Sequence, residues 1–254
     1  MSGLIFKFQE VLQEIDAIAG MAKHYIDKDS TGVLPQLRSD LEQIQWQKDG
    51  LSCAWEIPRN APLRTVRSPG TYERKEKGSR PHLVAELTSK WMLHPMRTGK
   101  EKAASRFSLG DVASTAIRLF DAEVPTGDRC VERGDGKKEP IAEWHMEFAD
   151  AASPGCYFHV QVPWTPSIPV PRLPTYVVSP LFAFEFVLGE LFQKGWESDA
   201  SSPSAHLAQW RAIQTKRLNA FLRWQTEILS RPNQVASPWL TLKQEQPDAG
   251  LLSA

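Results

Sequence analysis

The chain has 254 residues, 41% of them hydrophobic and 24% charged, a mix close to the globular norm that supplies a sizeable core. Thirty basic and thirty acidic side chains give a formal net charge of zero, so bulk electrostatics offer no support for a dedicated nucleic-acid or membrane-surface binder. Cys53, Cys130 and Cys156 form no CxxC or CxC pair, which excludes a zinc ribbon or a thioredoxin-like motif and reads as buried free thiols in a reducing compartment.

From Leu4 to Tyr25, apolar residues at Ile5, Phe8, Leu12, Ile15 and Ile18 keep helical spacing and predict one amphipathic helix. Lys7, Glu10, Glu14 and Asp16 interrupt this segment as a signal peptide would not tolerate. No run of about 18 apolar residues predicts a transmembrane helix, so the expectation is a soluble, cytoplasmic protein without a membrane partner. After a break at Asp29–Gly32, Pro35 suits a first helical turn, and Leu37, Leu41 and Ile44 continue a second helical face. Residues 1–50 therefore read as a helical hairpin whose apolar stripe docks on a sheet.

Leu51 to Ile57 alternates as a strand. Residues 59–80 carry Pro62, Pro69, Gly70 and Gly78 with an excess of Arg and Lys, and read as an exposed loop. Pro81 to Met92 alternates again, with Glu86, Thr88 and Lys90 on the polar side, which predicts an antiparallel sheet with one wet face. A second basic loop spans 97–106, and 112–122 reads as a strand, with a short helix from Leu109 as the other choice. These two basic loops are the only segments suited to nucleic-acid phosphate. The Gly134-Asp135-Gly136 turn is isolated, and no GxxxxGK[ST] or GxGxxG pattern occurs.

Trp144 to Val162 reads as a β-hairpin around Ser153-Pro154-Gly155. Its core side is Trp144, Met146, Phe148, Phe158, Val160 and Val162; its polar side is His145, Glu147, His159 and Gln161. If Phe148 lies across from Phe158, then Glu147 faces His159 and His145 faces Gln161, with Cβ atoms about 4.5–5.5 Å apart. Residues 164–180 form a proline-rich connector anchored by Trp164, Ile168 and Tyr176. Ser179-Pro180 then opens a helix, apolar nearly all round, through Phe192. A last helix, 204–231, presents Arg211, Lys216, Arg217 and Arg223 as a basic exterior, and 241–254 reads as a tail frayed from Glu245.

The architecture expected is a single α+β domain, 1–240, with an antiparallel sheet of about five strands (51–163) packed against N-terminal helices and C-terminal helices at 181–231. Its candidate site is the hairpin patch. His145, Glu147 and His159 suit acid/base chemistry or a divalent metal such as zinc, since two histidines and a carboxylate make an accepted ligand set. Gln161, Arg118 and Lys90 would serve ligand recognition beside them. No other catalytic motif is present: no GxSxG, no HExxH. The first functional expectation is an intracellular non-catalytic interaction or recognition module, an accessory subunit with a protein partner and no cofactor. The alternative is a metal- or histidine-dependent hydrolase of a phosphate ester or nucleic acid.

Overall fold

The computed structural model describes residues 4–69, 82–122, 140–148, 158–161, 172–175, 179–231, 237–245, 247 and 249–252. The apolar periodicities resolve into an α+β fold. Strands are β1 (Ile5–Lys7), β2 (Cys53–Ile57), β3 (Leu63–Arg64), β4 (Leu83–Met96), β5 (Arg106–Asp121), β6 (Ala142–Phe148), β7 (Phe158–Gln161) and β8 (Arg172–Pro174). Helices are α1 (Phe8–Met21), α2 (Val33–Ile44), α3 (Pro180–Phe192), α4 (Lys194–Asp199), α5 (Ala205–Leu229) and α6 (Pro238–Gln244).

The long β4–β5 hairpin is the spine. The sheet order is β2-β4-β5-β6-β7-β8, with β1 beside the start of β5 and β3 beside β4, and every pairing antiparallel. Among the described residues the sheet has eight strands: five longer ones, as expected, and three short ones. The three additional strands, β1, β3 and β8, are two or three residues long. That is too short to display alternation; β1 and β3 exist because the long strands β5 and β4 supply the ladder, and β8 extends the hairpin beside β7. β8 lies inside the proline-rich connector and ends on Pro174 at a sheet edge, where a missing N–H costs least.

β5 carries extra residues opposite Met92 at the bulge between Trp91 and Leu93. Gly110 sits there because a Cβ would fall 3.1 Å from Met92 Cβ and 3.3 Å from its carbonyl oxygen.

The core face of the sheet carries rings in mutual contact. Trp55, Trp91, Phe148, Phe158 and Phe221 follow one another at centroid separations of 5.9, 5.4, 5.0 and 4.9 Å, all edge-to-face, from β2 across to α5. Such pairs add about 0.5–1.5 kcal/mol each beyond their area. Trp55 also donates its indole N–H to the Leu37 carbonyl, fastening β2 to α2. The hairpin core side is thereby confirmed for Trp144, Met146, Phe148 and Phe158; Val160 is half-buried outside that cluster, and Val162 lies outside the described residues.

The N-terminal helix starts later than its periodicity suggests. Ile5–Lys7 pairs with Arg106–Ser108 before the helix begins at Phe8. The tail does not fray from Glu245: Ile5 N donates to the Ala249 carbonyl at 2.8 Å, and Leu252 is buried. Ser179 caps α3 by accepting from Phe182 N, as its Ser-Pro start predicts. Ser204 caps α5 in the same way.

α5 departs most from expectation. Arg217 is buried rather than on a basic exterior, and its side chain and that of Glu14 on α1 are both 0% exposed. Arg217 Nη1 donates to Glu14 Oε2 at 2.6 Å, Gln214 Nε2 donates to Oε1 at 2.7 Å, and the Ser179 hydroxyl donates to the same oxygen. The guanidinium carbon also stands 5.4 Å from the Phe6 ring centroid. Trp210, Gln214, Arg217 and Phe221 fall on one helical stripe, so placing Arg217 on the outer face follows residue type over period.

Removing one member of a buried ion pair leaves an uncompensated charge. Glu14→Ala should therefore lower unfolding free energy in urea by about 3–5 kcal/mol, and adding Arg217→Met should restore much of it. A cost no larger than that of a surface substitution would refute the structural role of the pair. Beside it, burial holds the Glu185 carboxyl above its ordinary range, helped by Glu14 and opposed by a hydrogen bond from Trp210. The native state thus keeps that proton more tightly than the unfolded chain. The stabilisation is present below the ordinary carboxylate value and is lost as pH rises through the raised one. Glu185→Gln should flatten that fall and raise stability at neutral pH, read from urea midpoints at pH 4.5 and 7.5.

Candidate functional site

The register expected for the hairpin is the one observed: Phe148 pairs with Phe158, Glu147 with His159 and His145 with Gln161. Across β4, β5 and β6 the same face continues row by row. Lys90, Ser114 and Glu147 form one row, Thr88, Ala116 and His145 the next, and Glu86, Arg118 and Glu143 a third. β3 places Arg64 opposite Glu86, so the third row reads Arg64, Glu86, Arg118, Glu143. Charge alternates at each step, and opposite charges on adjacent strands attract.

Within this face the predicted residues divide into two clusters. Gln161 Nε2 donates to Glu147 Oε2 at 2.9 Å and lies 3.3 Å from His159 Nε2, which is 3.7 Å from the same carboxylate oxygen. His145 belongs elsewhere: its Nε2 is 3.2 Å from Glu143 Oε1. That oxygen also accepts from Arg118 Nε at 3.0 Å, while Arg118 Nη2 lies 3.4 Å from the Thr88 hydroxyl. Lys90 is exposed and joins neither cluster. Glu143 escapes a hairpin reading that begins at Trp144; its position two residues before His145 is the signal that places it on the same face.

The face is not the wet surface that one-sided alternation predicts. His159 is 1% exposed and Arg118 7%, and Thr88 is also buried. Charge pairing within the rows lets this face tolerate burial, since charges leave water only when partnered. Among the described residues, no group of three or more His, Cys, Asp or Glu side chains is placed to hold a metal ion.

The other titratable candidates take separate roles. His82 Nδ1 lies 2.7 Å from the Ser68 carbonyl, and His94 packs over Gly110. Cys53 is half-buried, and burial pushes its thiol pKa up, which disfavours the nucleophilic thiolate. Cys130 and Cys156 lie outside the described residues.

The basic loops also differ from expectation. Residues 59–69 are stitched to β4 at buried positions, while Arg59, Arg64 and Arg67 stay exposed. Thr65 Oγ1 accepts from Ala85 N, Ser68 Oγ accepts from Leu83 N, and Thr65 and Ser68 are buried. Residues 70–81 are outside the described set. In the second loop, Arg97 spends its guanidinium on the Gln47 carbonyl at 2.6 Å, on the Trp46 carbonyl and on Asp49, closing the chain after α2.

Stitching the 59–69 segment to β4 forms one side of a half-open cleft of about 770 Å³ at the end of the polar face. Its cations are Arg59, Arg64, Arg67 and Arg118, and its carboxylates Asp27, Glu86 and Asp121. Val84, Phe120, Ala122 and Pro140 form an apolar wall, and Asn60 completes the lining. Arg59 and Arg64 are exposed and make no ion pair among the described residues. No helix among the described residues is long and apolar enough to cross a membrane. Comparison of the chain with protein-family models, curated proteins and solved structures finds no match.

Glu143 restrains a buried guanidinium, so Glu143→Ala should lower stability by about 1.5–3 kcal/mol, the range for hydrogen bonds to charged groups. Lys90→Ala on the same face should stay within about 0.5 kcal/mol of wild type. Equal effects of the two in urea unfolding would contradict the clustering described.

Proposed function

We propose that the chain is a non-catalytic recognition module that binds an anionic small molecule in the arginine-lined cleft. The observation that carries this reading is the convergence of Arg59, Arg64, Arg67 and Arg118 on one half-open cleft. Arginine is well suited to holding an anion, because it stays charged and its planar fork matches carboxylate and phosphate oxygens in pairs. Arg118 is already oriented by Glu143 and Thr88, so little side-chain freedom is lost when it engages a ligand. The volume lies in the range of small-molecule sites.

Binding is favoured over hydrolysis by what lines the cleft. Among the described residues its lining includes no histidine, cysteine, serine, threonine or tyrosine, which leaves it without a described hydroxyl, thiol or imidazole group. His145 and His159 sit outside it, each beside a carboxylate. The hydrolase alternative therefore has less support.

Titration with inorganic sulfate and phosphate, followed by calorimetry or amide chemical shifts, tests the reading. Saturable binding that weakens with added salt is expected, with a loss of about ten-fold or more in Arg118→Gln. Arg118→Lys should fall well short of wild type, because an ammonium cannot reproduce the fork. Absence of saturable binding by either anion at millimolar concentration would remove this proposal.

A further inference from the structure

Resting on the anion-binding reading above, we infer that the ligand of the cleft is a nucleoside 5′-monophosphate. Three features ask for more than a bare anion. The cleft, about 770 Å³, is far larger than one phosphate group needs, given that a water molecule occupies about 30 Å³ of liquid. Its arginines share the space with Asp27, Glu86 and Asp121, which repel an anion lacking anything to offer them. Its remaining wall, Val84, Phe120 and Pro140, is apolar and includes an aromatic ring.

The carboxylates are not equivalent. Asp121 ends β5 opposite Leu83, and Glu86 is registered between Arg64 and Arg118, with a basic residue across from it on either adjacent strand. Asp27 lies off these rows, its backbone N–H donating to the Arg64 carbonyl at 2.9 Å. Its Oδ1 accepts from Asp29 N, capping a short 3-10 turn (Lys28–Ser30), and it makes no ion pair among the described residues. A ligand that satisfies Asp27 and Asn60 must bring O–H or N–H donors.

Ribose supplies hydroxyl donors, phosphate supplies the charge for Arg118, and a base supplies a flat face for Phe120 and for exposed guanidinium planes. Base stacking on aromatic rings and arginine is a general mode of nucleotide recognition. A sugar phosphate leaves the aromatic wall unused, and a carboxylic acid leaves Asp27 repelled.

The test compares inorganic sulfate, ribose 5-phosphate and the four common nucleoside 5′-monophosphates on the full chain. At least one nucleotide should bind about ten-fold or more tightly than either smaller probe, which is the effect of one well-made stacking contact. Phe120→Leu should bring that nucleotide down to the level of ribose 5-phosphate while leaving sulfate unchanged. Circular dichroism and urea unfolding check that the variant is folded. Asp27→Asn keeps a cap acceptor but removes the charge. It should tighten sulfate by reducing repulsion and weaken the nucleotide several-fold by replacing a charge-assisted hydrogen bond with a neutral one.

Sulfate, ribose 5-phosphate and all four nucleotides binding within three-fold of one another would overturn the inference and leave the anion-binding reading intact. So would an Asp27→Asn variant that tightens sulfate and nucleotide alike. No binding by any probe would remove both.

Discussion

The carboxylate of Glu14 and the guanidinium of Arg217, 2.6 Å apart and shut away from water, hold the helical layer together. Glu14 belongs to α1, Arg217 and Gln214 to α5, and Ser179 to the cap of α3, so one acidic group organises three helices. An isolated buried charge would be intolerable, and a pair is tolerable only when hydrogen bonds complete it. That requirement restricts how α5 can slide or rotate against α1, because an alternative packing would leave both charges unpaired. Arg217 Nε and Nη2 and Gln214 Oε1 have no hydrogen-bond partner among the described residues, so stability gained by the pair is smaller than its short distance suggests.

The same arginine joins the polar network to the sheet. Its contact with Phe6 leads to Phe107 and Trp91, whose rings stand 5.5 and 5.6 Å from Phe6. Trp91 belongs to the ring series that runs from β2 to α5. Helix placement and strand placement are thus coupled through Phe6, a residue of a three-residue strand. On the opposite face of the sheet, electrostatics replace ring packing. The row Arg64, Glu86, Arg118, Glu143 alternates in charge strand by strand, and the Arg118–Glu143 ion pair lets Arg118 be nearly buried while keeping its charge beside the cleft.

Legibility in the sequence follows element length. The helices α2, α3 and α5 and the long strand β4 span enough residues for their periods to be counted, and the hairpin register follows from matching Phe148 to Phe158; of β5 only 112–121 is legible, with a helix from Leu109 as the other choice. Alternation places His145, Glu147, His159 and Gln161 on one face, and they are there. It cannot divide them into two clusters, because Glu143 and Gln161 compete for neighbours through side-chain torsions that strand parity does not encode. The cleft is foreshadowed only by a basic segment, whose arginines are scattered along an apparent loop. Thr65 and Ser68, small polar residues of the kind that bond backbone groups, are the available signal that this segment is tied down.

What the sequence determined by itself is the pattern of faces: which side chains point inward along each strand and helix, since period follows from backbone geometry alone. Tertiary structure decided which faces meet. It turned Arg217 from a basic helix residue into a core ion pair, because the partner carboxylate arrives from a helix about two hundred residues earlier in the chain. It also turned Arg59, Arg64, Arg67 and Arg118 into one cleft, because β3 docks on β4 and β4 on β5. Long-range contacts of that kind depend on where separate elements stop in space, and no local period carries that information.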